Sequence, residues 1–168
     1  MKKVLFIDRD GTLIIEPPVN FQVDSLSKLE FYPGVFVALS KIVNQLDFEL
    51  VIVTNQDGLG TESFPEETFW PSQNKMVQAF ENENIYFNDI IIDKSFEDQN
   101  LPTRKPGVAL LNKYFNGSYD LKNSFVIGDR RTDMELAKNL GAKGILLSDK
   151  PNEVHTSDVQ LLQTTNWE

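Results

Sequence analysis

Five short apolar segments, separated by longer stretches with helical periodicity, constrain the fold of this 168-residue chain more than any other feature. Strands covered on both faces show such uninterrupted apolar runs, and strands that alternate with helices pair in parallel. The sequence therefore predicts one α/β domain with a doubly wound, mainly parallel, five-stranded Rossmann-like sheet flanked by helices. The predicted strands occupy residues 4–8, 49–54, 89–93, 124–129 and 144–148.

Four helices are predicted between these strands. Pro33 and Pro106 stand where a proline is tolerated in or near the first helical turn, and Gly141 is a predicted C-cap. The predicted spans are 35–46, 65–83, 108–115 and 130–140.

Two connections, residues 14–32 and 93–105, are long for an α/β unit, and long loops of this kind often carry function. Neither is large enough to form a cap domain. Residues 149–168 are interpreted as a C-terminal extension, or as a linker towards a further domain.

Composition excludes several classes of function. The formal net charge is −9 and no basic stripe is visible, which argues against a nucleic-acid partner. No apolar run approaches the roughly 20 residues of a membrane helix, so no membrane partner is expected. The absence of cysteine excludes disulfides and thiolate metal sites and suits a cytoplasmic protein. The only histidine, His155, lies in a polar stretch and is expected to be exposed rather than catalytic.

Polar residues cluster where the predicted strands end. Because ligands bind outside the carboxyl ends of the strands of such sheets, these residues are predicted to share one site. They are Asp8 and Asp10 after the first strand, Thr54 and Asn55 after the second, Asp129 and Asp133 after the fourth, and Arg104 and Lys105 before the third helix.

The carboxylates in this group require a cation. Residues two apart on a strand face the same side, so Asp8 and Asp10 can serve one site, to which Asp129 adds a third carboxylate. Like charges raise one another's pKa, and a hard divalent ion with oxygen ligands relieves that repulsion. Mg²⁺ suits the site best, since it binds phosphate together with one or two carboxylates.

Four motifs in order, DRDGTL, VTNQDG, RKP and GDRRTD, resemble those of the haloacid dehalogenase-like phosphatases. Within that family, FIDRDGTLIIEPP, FQVD, VTNQDGLGT, SFPEETF and VIGDR are similar to the histidinol-phosphate phosphatases, where this domain precedes an imidazoleglycerol-phosphate dehydratase domain. The resemblance extends to about residue 148. It implies magnesium-dependent hydrolysis of L-histidinol phosphate in histidine biosynthesis, by a protein that is free-standing or excised from a fused enzyme.

The resemblance also implies roles for the residues at the strand ends. Asp8 is expected to be the nucleophile that forms an aspartyl-phosphate, and Asp10 the general acid and base. Magnesium is expected to bind Asp8, Asp129 and Asp10, the last through its backbone carbonyl.

Further residues are assigned to the substrate on the same grounds. Thr54, Asn55 and Lys105 are expected to hold the transferring phosphoryl group, with help from Arg104. Asp133 is expected to orient waters or Lys105 from behind the ligands. On the first long loop, Glu16 and Gln22 are expected to face the organic part of the substrate, where Glu16 suits a cationic amine.

One segment departs from the family pattern. Histidinol-phosphate phosphatases usually carry a zinc loop of Cys and His before RKP, whereas this chain reads DKSFEDQNLPT there. No zinc is therefore expected. The loop is predicted to be held by packing of Phe96, Leu101 and Pro102.

Three alternatives to a histidinol-phosphate phosphatase are open. A related phosphatase for a sugar phosphate, such as heptose bisphosphate, would use the same motifs. A receiver domain also gathers aspartates, a Thr and a Lys at strand ends, but it is phosphorylated after its third strand, where Asp93 stands without a recognisable pattern. A non-catalytic binding domain is disfavoured by the intact motif set.

Overall fold

The computed structural model describes residues 1–149 and 160–168, and its centre is a six-stranded parallel sheet. The sheet order is β3-β2-β1-β4-β5-β6, and every neighbouring pair is parallel. The strands are β1 (Lys3–Ile7), β2 (Phe48–Asn55), β3 (Asp89–Asp93), β4 (Phe125–Gly128), β5 (Lys143–Leu147) and β6 (Leu161–Thr164).

The five predicted strands are confirmed, but the predicted strand number was wrong by one. β6 pairs with β5 at the edge of the sheet and has only two apolar residues, Leu161 and Leu162. An edge strand needs no continuous apolar run, because only part of its surface is covered. The predicted exposure of His155 concerns a residue outside the described ranges.

Within the described residues, three α-helices flank the sheet: α1 (Val35–Gln45), α2 (Glu66–Asn82) and α3 (Arg131–Leu140). Gly141 ends α3 in the left-handed conformation with φ of 71°, which confirms the predicted C-cap. The third predicted helix is instead a 3₁₀ helix, Ala109–Phe115. Seven residues form too few i→i−4 hydrogen bonds to offset the cost of nucleating an α-helix. None of the described helices is both long and apolar enough to cross a membrane.

Both faces of the sheet are covered, which explains the uninterrupted apolar runs. Alternate residues of β1 point to opposite sides: Ile7 packs in the cluster that includes Phe80 of α2, whereas Phe6 packs with Tyr114 of the 3₁₀ helix and Leu136 of α3. The rings of Phe6 and Tyr114 meet edge-on with centroids 5.0 Å apart.

The topology places a crevice at the carboxyl end of β1. From β1 the chain builds outwards through β2 to β3 on one side and through β4 to β6 on the other. Such a reversal of strand order opens a ligand crevice at the strand ends.

The C-terminal residues close against the turn that follows β1. Trp167 is 8% exposed and joins the main apolar cluster. Its indole N–H donates to the carbonyl oxygen of Thr12 at 2.8 Å. Trp167 therefore packs on the same core as β1.

Candidate active site

The turn of residues 8–14 presents two carboxylates above the buried strand β1. The N–H of Leu13 donates to the carbonyl of Arg9 at 2.9 Å, and the N–H of Gly11 donates to the carbonyl of Ile14 at 2.8 Å. Gly11 has φ of +80°, and a Cβ there would lie 2.3 Å from Oδ2 of Asp129. Only glycine lets the turn approach that carboxylate so closely.

An acidic cluster of Asp8, Asp129 and Asp133 lies beside this turn. Each residue offers a carboxylate oxygen, and these oxygens lie within 4.8 Å of one another. Gly128 makes the arrangement possible, since a Cβ there would lie 2.2 Å from Cγ of Asp133. Oδ1 of Asp129 is buried and accepts no hydrogen bond from any described residue.

Charge in the cluster is only partly balanced by Lys105. Its buried ammonium donates to Asp133 Oδ1 at 2.8 Å and to Asp8 Oδ1. Burial alone would lower the pKa of Lys105, but the two carboxylates raise it above its ordinary value. Burial and the charge of Asp133 raise the pKa of Asp8 against the opposing effect of Lys105. Burial and the neighbouring Asp8 and Asp133 raise the pKa of Asp129 to about 8.

The acidic cluster therefore fits a divalent cation. Three carboxylates face one ammonium, and Oδ1 of Asp129 accepts no hydrogen bond although Nε of Arg130 lies 3.9 Å away. Hard oxygen donors of this kind suit Mg²⁺ or Ca²⁺ rather than a soft metal. The cluster contains two of the predicted ligands, Asp8 and Asp129, together with Asp133. The carboxylate of Asp10 lies outside it, and the role of its backbone carbonyl stays a prediction.

Both oxygens of the Asp10 carboxylate accept hydrogen bonds. Oδ1 accepts from Nη1 of Arg9 at 2.7 Å, and Oδ2 accepts from Nε2 of Gln56 at 2.6 Å. The same amide group of Gln56 donates to Oγ1 of Thr54 at 2.8 Å. The guanidinium of Arg9 folds back onto the carboxylate of its neighbour Asp10.

Gln56 was missed at the level of the sequence. A signal was present, because Gln56 stands two residues after Thr54 at the end of a strand and so faces the same side. The side chain of Asn55, which lies between these two residues in the sequence, accepts from the backbone N–H of Lys105 at 3.0 Å. It also donates to the carbonyl of Lys105 at 3.2 Å. Asn55 thus holds the backbone of Lys105 at the site.

Arg104 binds protein groups at the rim of the site. Its Nη1 and Nη2 donate to the two carboxylate oxygens of Asp57 at 2.6 and 3.1 Å, and Nη1 also donates to the carbonyl of Ser95 at 2.8 Å. Arg104 therefore ties the loop of residues 94–105 to the end of β2, while its side chain still lines the cavity.

The predicted apolar support of that loop is only partly present: the ring of Phe96 lies against Gly58, where a Cβ would come 2.4 Å from Cζ of Phe96. Phe96 is 40% exposed and Leu101 is 45% exposed. Polar contacts add further support: Asp93 accepts from the backbone N–H and from the hydroxyl of Ser95. Burial would raise the pKa of Asp93, but these hydrogen bonds hold it below its ordinary value. Pro102 contributes its carbonyl, which accepts from the N–H of Ala109 at 3.1 Å.

The strand ends open into a cavity of about 860 Å³. Glu16 and Gln22 lie on its wall, as predicted for residues facing the organic part of a substrate. Glu16 accepts a hydrogen bond from Arg130, a residue that the motif GDRRTD contained but the sequence interpretation left unused. Burial raises the pKa of Glu16, and the charge of Arg130 opposes this. The other predicted residues on the lining are Asp8, Asp10, Thr54, Asn55, Arg104 and Lys105.

Curated proteins are similar in sequence to nearly the whole of this chain. The chain is 56% identical over 171 residues to the histidine biosynthesis bifunctional protein HisB of Bacteroides fragilis, covering 99% of this chain and 46% of that protein. It is 54% identical over 181 residues to HisB of Spirosoma linguale, covering 100% of this chain and 47% of that protein. The chain therefore spans about half the length of the curated relatives it matches.

Solved structures share the fold. D,D-heptose 1,7-bisphosphate phosphatase from B. bronchiseptica, complexed with magnesium and phosphate, superposes with a TM-score of 0.78 at 21% identity, covering 99% of this chain and 94% of that one. The corresponding enzyme from Burkholderia thailandensis has a TM-score of 0.67 at 18% identity, with the same two coverages.

A family model agrees with these relatives. The model described as HAD-hydrolase-like matches residues 102–157. Together with the six-stranded fold and the HisB relatives, this match confirms the resemblance seen in the four motifs. The chain is thus similar to haloacid dehalogenase-like hydrolases over residues 102–157 and to the HisB proteins over nearly its whole length.

Proposed function

We propose that this chain is a magnesium-dependent phosphatase that hydrolyses L-histidinol phosphate to L-histidinol and phosphate. The observation that carries the proposal is the pairing of Asp8 and Asp10 on the lining of one cavity, beside the acidic cluster. The identity of 56% with a histidine-biosynthesis protein over 99% of the chain supports this choice of substrate.

In the first half of the reaction, an oxygen of Asp8 attacks phosphorus and the bond from phosphorus to the ester oxygen breaks. Asp10, in its protonated form, gives its proton to that departing oxygen. The products are histidinol and an aspartyl-phosphate on Asp8.

In the second half, Asp10 takes a proton from a water molecule, and that water attacks the phosphorus. The bond from phosphorus to Asp8 breaks, free phosphate leaves, and Asp10 is again protonated. Asp8 and Asp10 both line the cavity, so small molecules that enter it can reach both side chains.

Asp8, Asp129 and the backbone carbonyl of Asp10 would hold Mg²⁺, which supplies charge neutralisation at the phosphoryl group when bound. Asp133 holds Lys105 in place through the 2.8 Å hydrogen bond to its ammonium. Lys105, Thr54 and Asn55 would bind the phosphoryl oxygens as negative charge develops on them.

Glu16 and Gln22 would contact the organic half of the substrate. Glu16 lies beside Arg130, so a substrate amine would share or replace this partner. Arg104 would assist at the rim, where it already holds the loop of residues 94–105.

A second candidate substrate is heptose bisphosphate. The fold neighbour from B. bronchiseptica carries that name, but its identity to this chain is 21%, against 56% for the HisB relative. The HisB relatives are bifunctional by name, so we also propose that the full-length protein carries a fused dehydratase domain.

Phosphate release from both compounds tests the proposal. We expect turnover of L-histidinol phosphate with Mg²⁺, its loss with EDTA, and its recovery when Mg²⁺ is restored. A higher kcat/KM for the heptose would reassign the substrate. One phosphate bound per chain without turnover would instead indicate a receiver-like acceptor. Zinc found at one atom per chain in purified protein would contradict the prediction that no zinc site forms.

A further inference from the structure

Arg9 is the most deeply buried charged residue of the catalytic turn, which is formed by residues 8–14, with 0% of its surface exposed. A buried guanidinium is costly unless its charge and its donors are paired. Its charge is paired with Asp10 through the 2.7 Å contact of Nη1 with Oδ1, whereas Nη2 is buried without a hydrogen-bond partner among the described residues. The function proposed above assigns no role to this residue.

Helix α2 supplies the other contacts of Arg9. Nε donates to Oε1 of Gln73 at 2.8 Å, and Gln73 is 1% exposed. The ring of Phe69 lies under the guanidinium, with Cζ 5.0 Å from the ring centroid. Both residues lie on the face of α2 that is buried, so they are held by the core rather than by solvent-exposed contacts.

Asp10 is therefore held from two sides. Arg9 donates to one carboxylate oxygen, and Gln56, at the end of β2, donates to the other at 2.6 Å. A planar guanidinium and an amide fix both the position and the plane of a carboxylate. Asp10 itself is 9% exposed, on the lining of the cavity.

We propose that Arg9 is a positioning residue that, anchored by Gln73, holds the carboxylate of Asp10 in the orientation needed to protonate the leaving group. The proposal rests on the phosphatase function proposed above. It links α2, which contributes no group to the chemistry, to the proton transfer.

The dependence on the leaving group separates positioning from general structural support. An alkoxide such as that of histidinol needs a proton as it departs, whereas p-nitrophenolate departs without one. A misplaced Asp10 therefore slows the first ester far more than the second. General acid catalysis contributes about 10²–10⁴-fold, so a partial loss remains measurable.

The experiment measures kcat/KM of Arg9→Met for L-histidinol phosphate and for p-nitrophenyl phosphate. We expect the fall to be at least ~10-fold larger for the histidinol ester. Asp10→Asn should show the same selectivity with a larger effect. In the double variant, Arg9→Met should add no further selectivity, because residues that act through one group are not additive.

Gln73→Met is the second variant, in case Arg9→Met does not fold. It removes the acceptor that orients Arg9 and should show the same selectivity in weaker form. Gln78→Met is the matched control, because Gln78 is exposed on the same helix. It should leave both esters unaffected.

Equal losses for the two esters in a folded Arg9→Met or Gln73→Met would overturn the proposal, as would full additivity with Asp10→Asn. A wild type that hydrolyses neither ester would refute the phosphatase function instead. The two failures are therefore distinguishable.

Discussion

The catalytic turn, residues 8–14, and the loop of residues 94–105 both deliver groups to one cavity, yet they are held in opposite ways. In the turn, Arg9, Thr12, Leu13 and Ile14 have no exposed surface. In the loop, Phe96 and Leu101 are 40% and 45% exposed.

The two regions differ because of where their contacts lie. The turn sits over the core, where burial strengthens its hydrogen bonds and makes each unpaired group costly. In the loop, Arg104 pairs with Asp57, and water and salt screen this pair because the Asp57 side chain is 46% exposed. Substitutions in the turn should consequently have much larger effects than substitutions at the exposed positions of the loop.

The largest effect is expected for Asp8→Asn, which removes the proposed nucleophile. Phosphate release should fall by at least ~10³-fold, because an amide oxygen does not form the aspartyl-phosphate. Asp98→Asn, an exposed carboxylate of the loop, is the control and should retain wild-type turnover. Substantial activity in Asp8→Asn would refute the covalent mechanism.

The next largest effect is expected for Gly11→Ala, whose cost in unfolding free energy is compared with that of Gly117→Ala. Both glycines have positive φ, +80° and +83°, but only at Gly11 would a Cβ meet another group, Asp129 Oδ2 at 2.3 Å. Around Gly117 no described atom lies within 4 Å of that Cβ. Gly117→Ala should cost about 1–2 kcal/mol of unfolding free energy, and Gly11→Ala more. Urea titration measures both, and equal costs would show that the turn tolerates displacement of Asp129.

A smaller effect is expected from pH in metal-free protein. Burial and the neighbouring carboxylates raise the pKa of Asp129 from 3.8 to about 8, so the folded state holds a proton that the unfolded state has lost. Unfolding free energy should therefore fall as pH rises between those values. Thermal unfolding from pH 5 to 8.5 measures this.

Two controls test the origin of that pH dependence. Saturating Mg²⁺ should remove most of the decline, because the cation competes with the proton. Asp129→Asn should flatten the profile without metal. A decline unchanged in Asp129→Asn would assign it to another group.

The smallest effect is expected for Arg104→Met in the loop. The exposed pair with Asp57 contributes about 0.2–1 kcal/mol, so stability should change little. Loosening the loop should raise KM several-fold, with a smaller change in kcat. High salt should reduce the difference in KM between the variant and wild type. A loss of phosphate release as large as that of Asp8→Asn would contradict the prediction that the loop tolerates substitution better than the turn.

Local patterns were sufficient for much of this protein. Apolar runs identified five of the six strands, and residues at their ends, such as Asp8, Thr54 and Asp129, were placed together correctly. Strand β6 was not predicted, because an edge strand with two leucines has no distinctive sequence pattern. The loop after β3 was predicted only in part, because composition does not reveal that Leu101 is exposed or that Arg104 pairs with Asp57.

What the sequence determined alone was therefore the parallel sheet and the set of groups at its carboxyl edge, because apolar periodicity and strand direction are local properties. Tertiary structure decided which groups pair. Arg9 meets Gln73, 64 residues away, and Lys105 meets Asp8, 97 residues away. Such contacts depend on how helices and loops pack over the sheet, and no local pattern encodes that geometry.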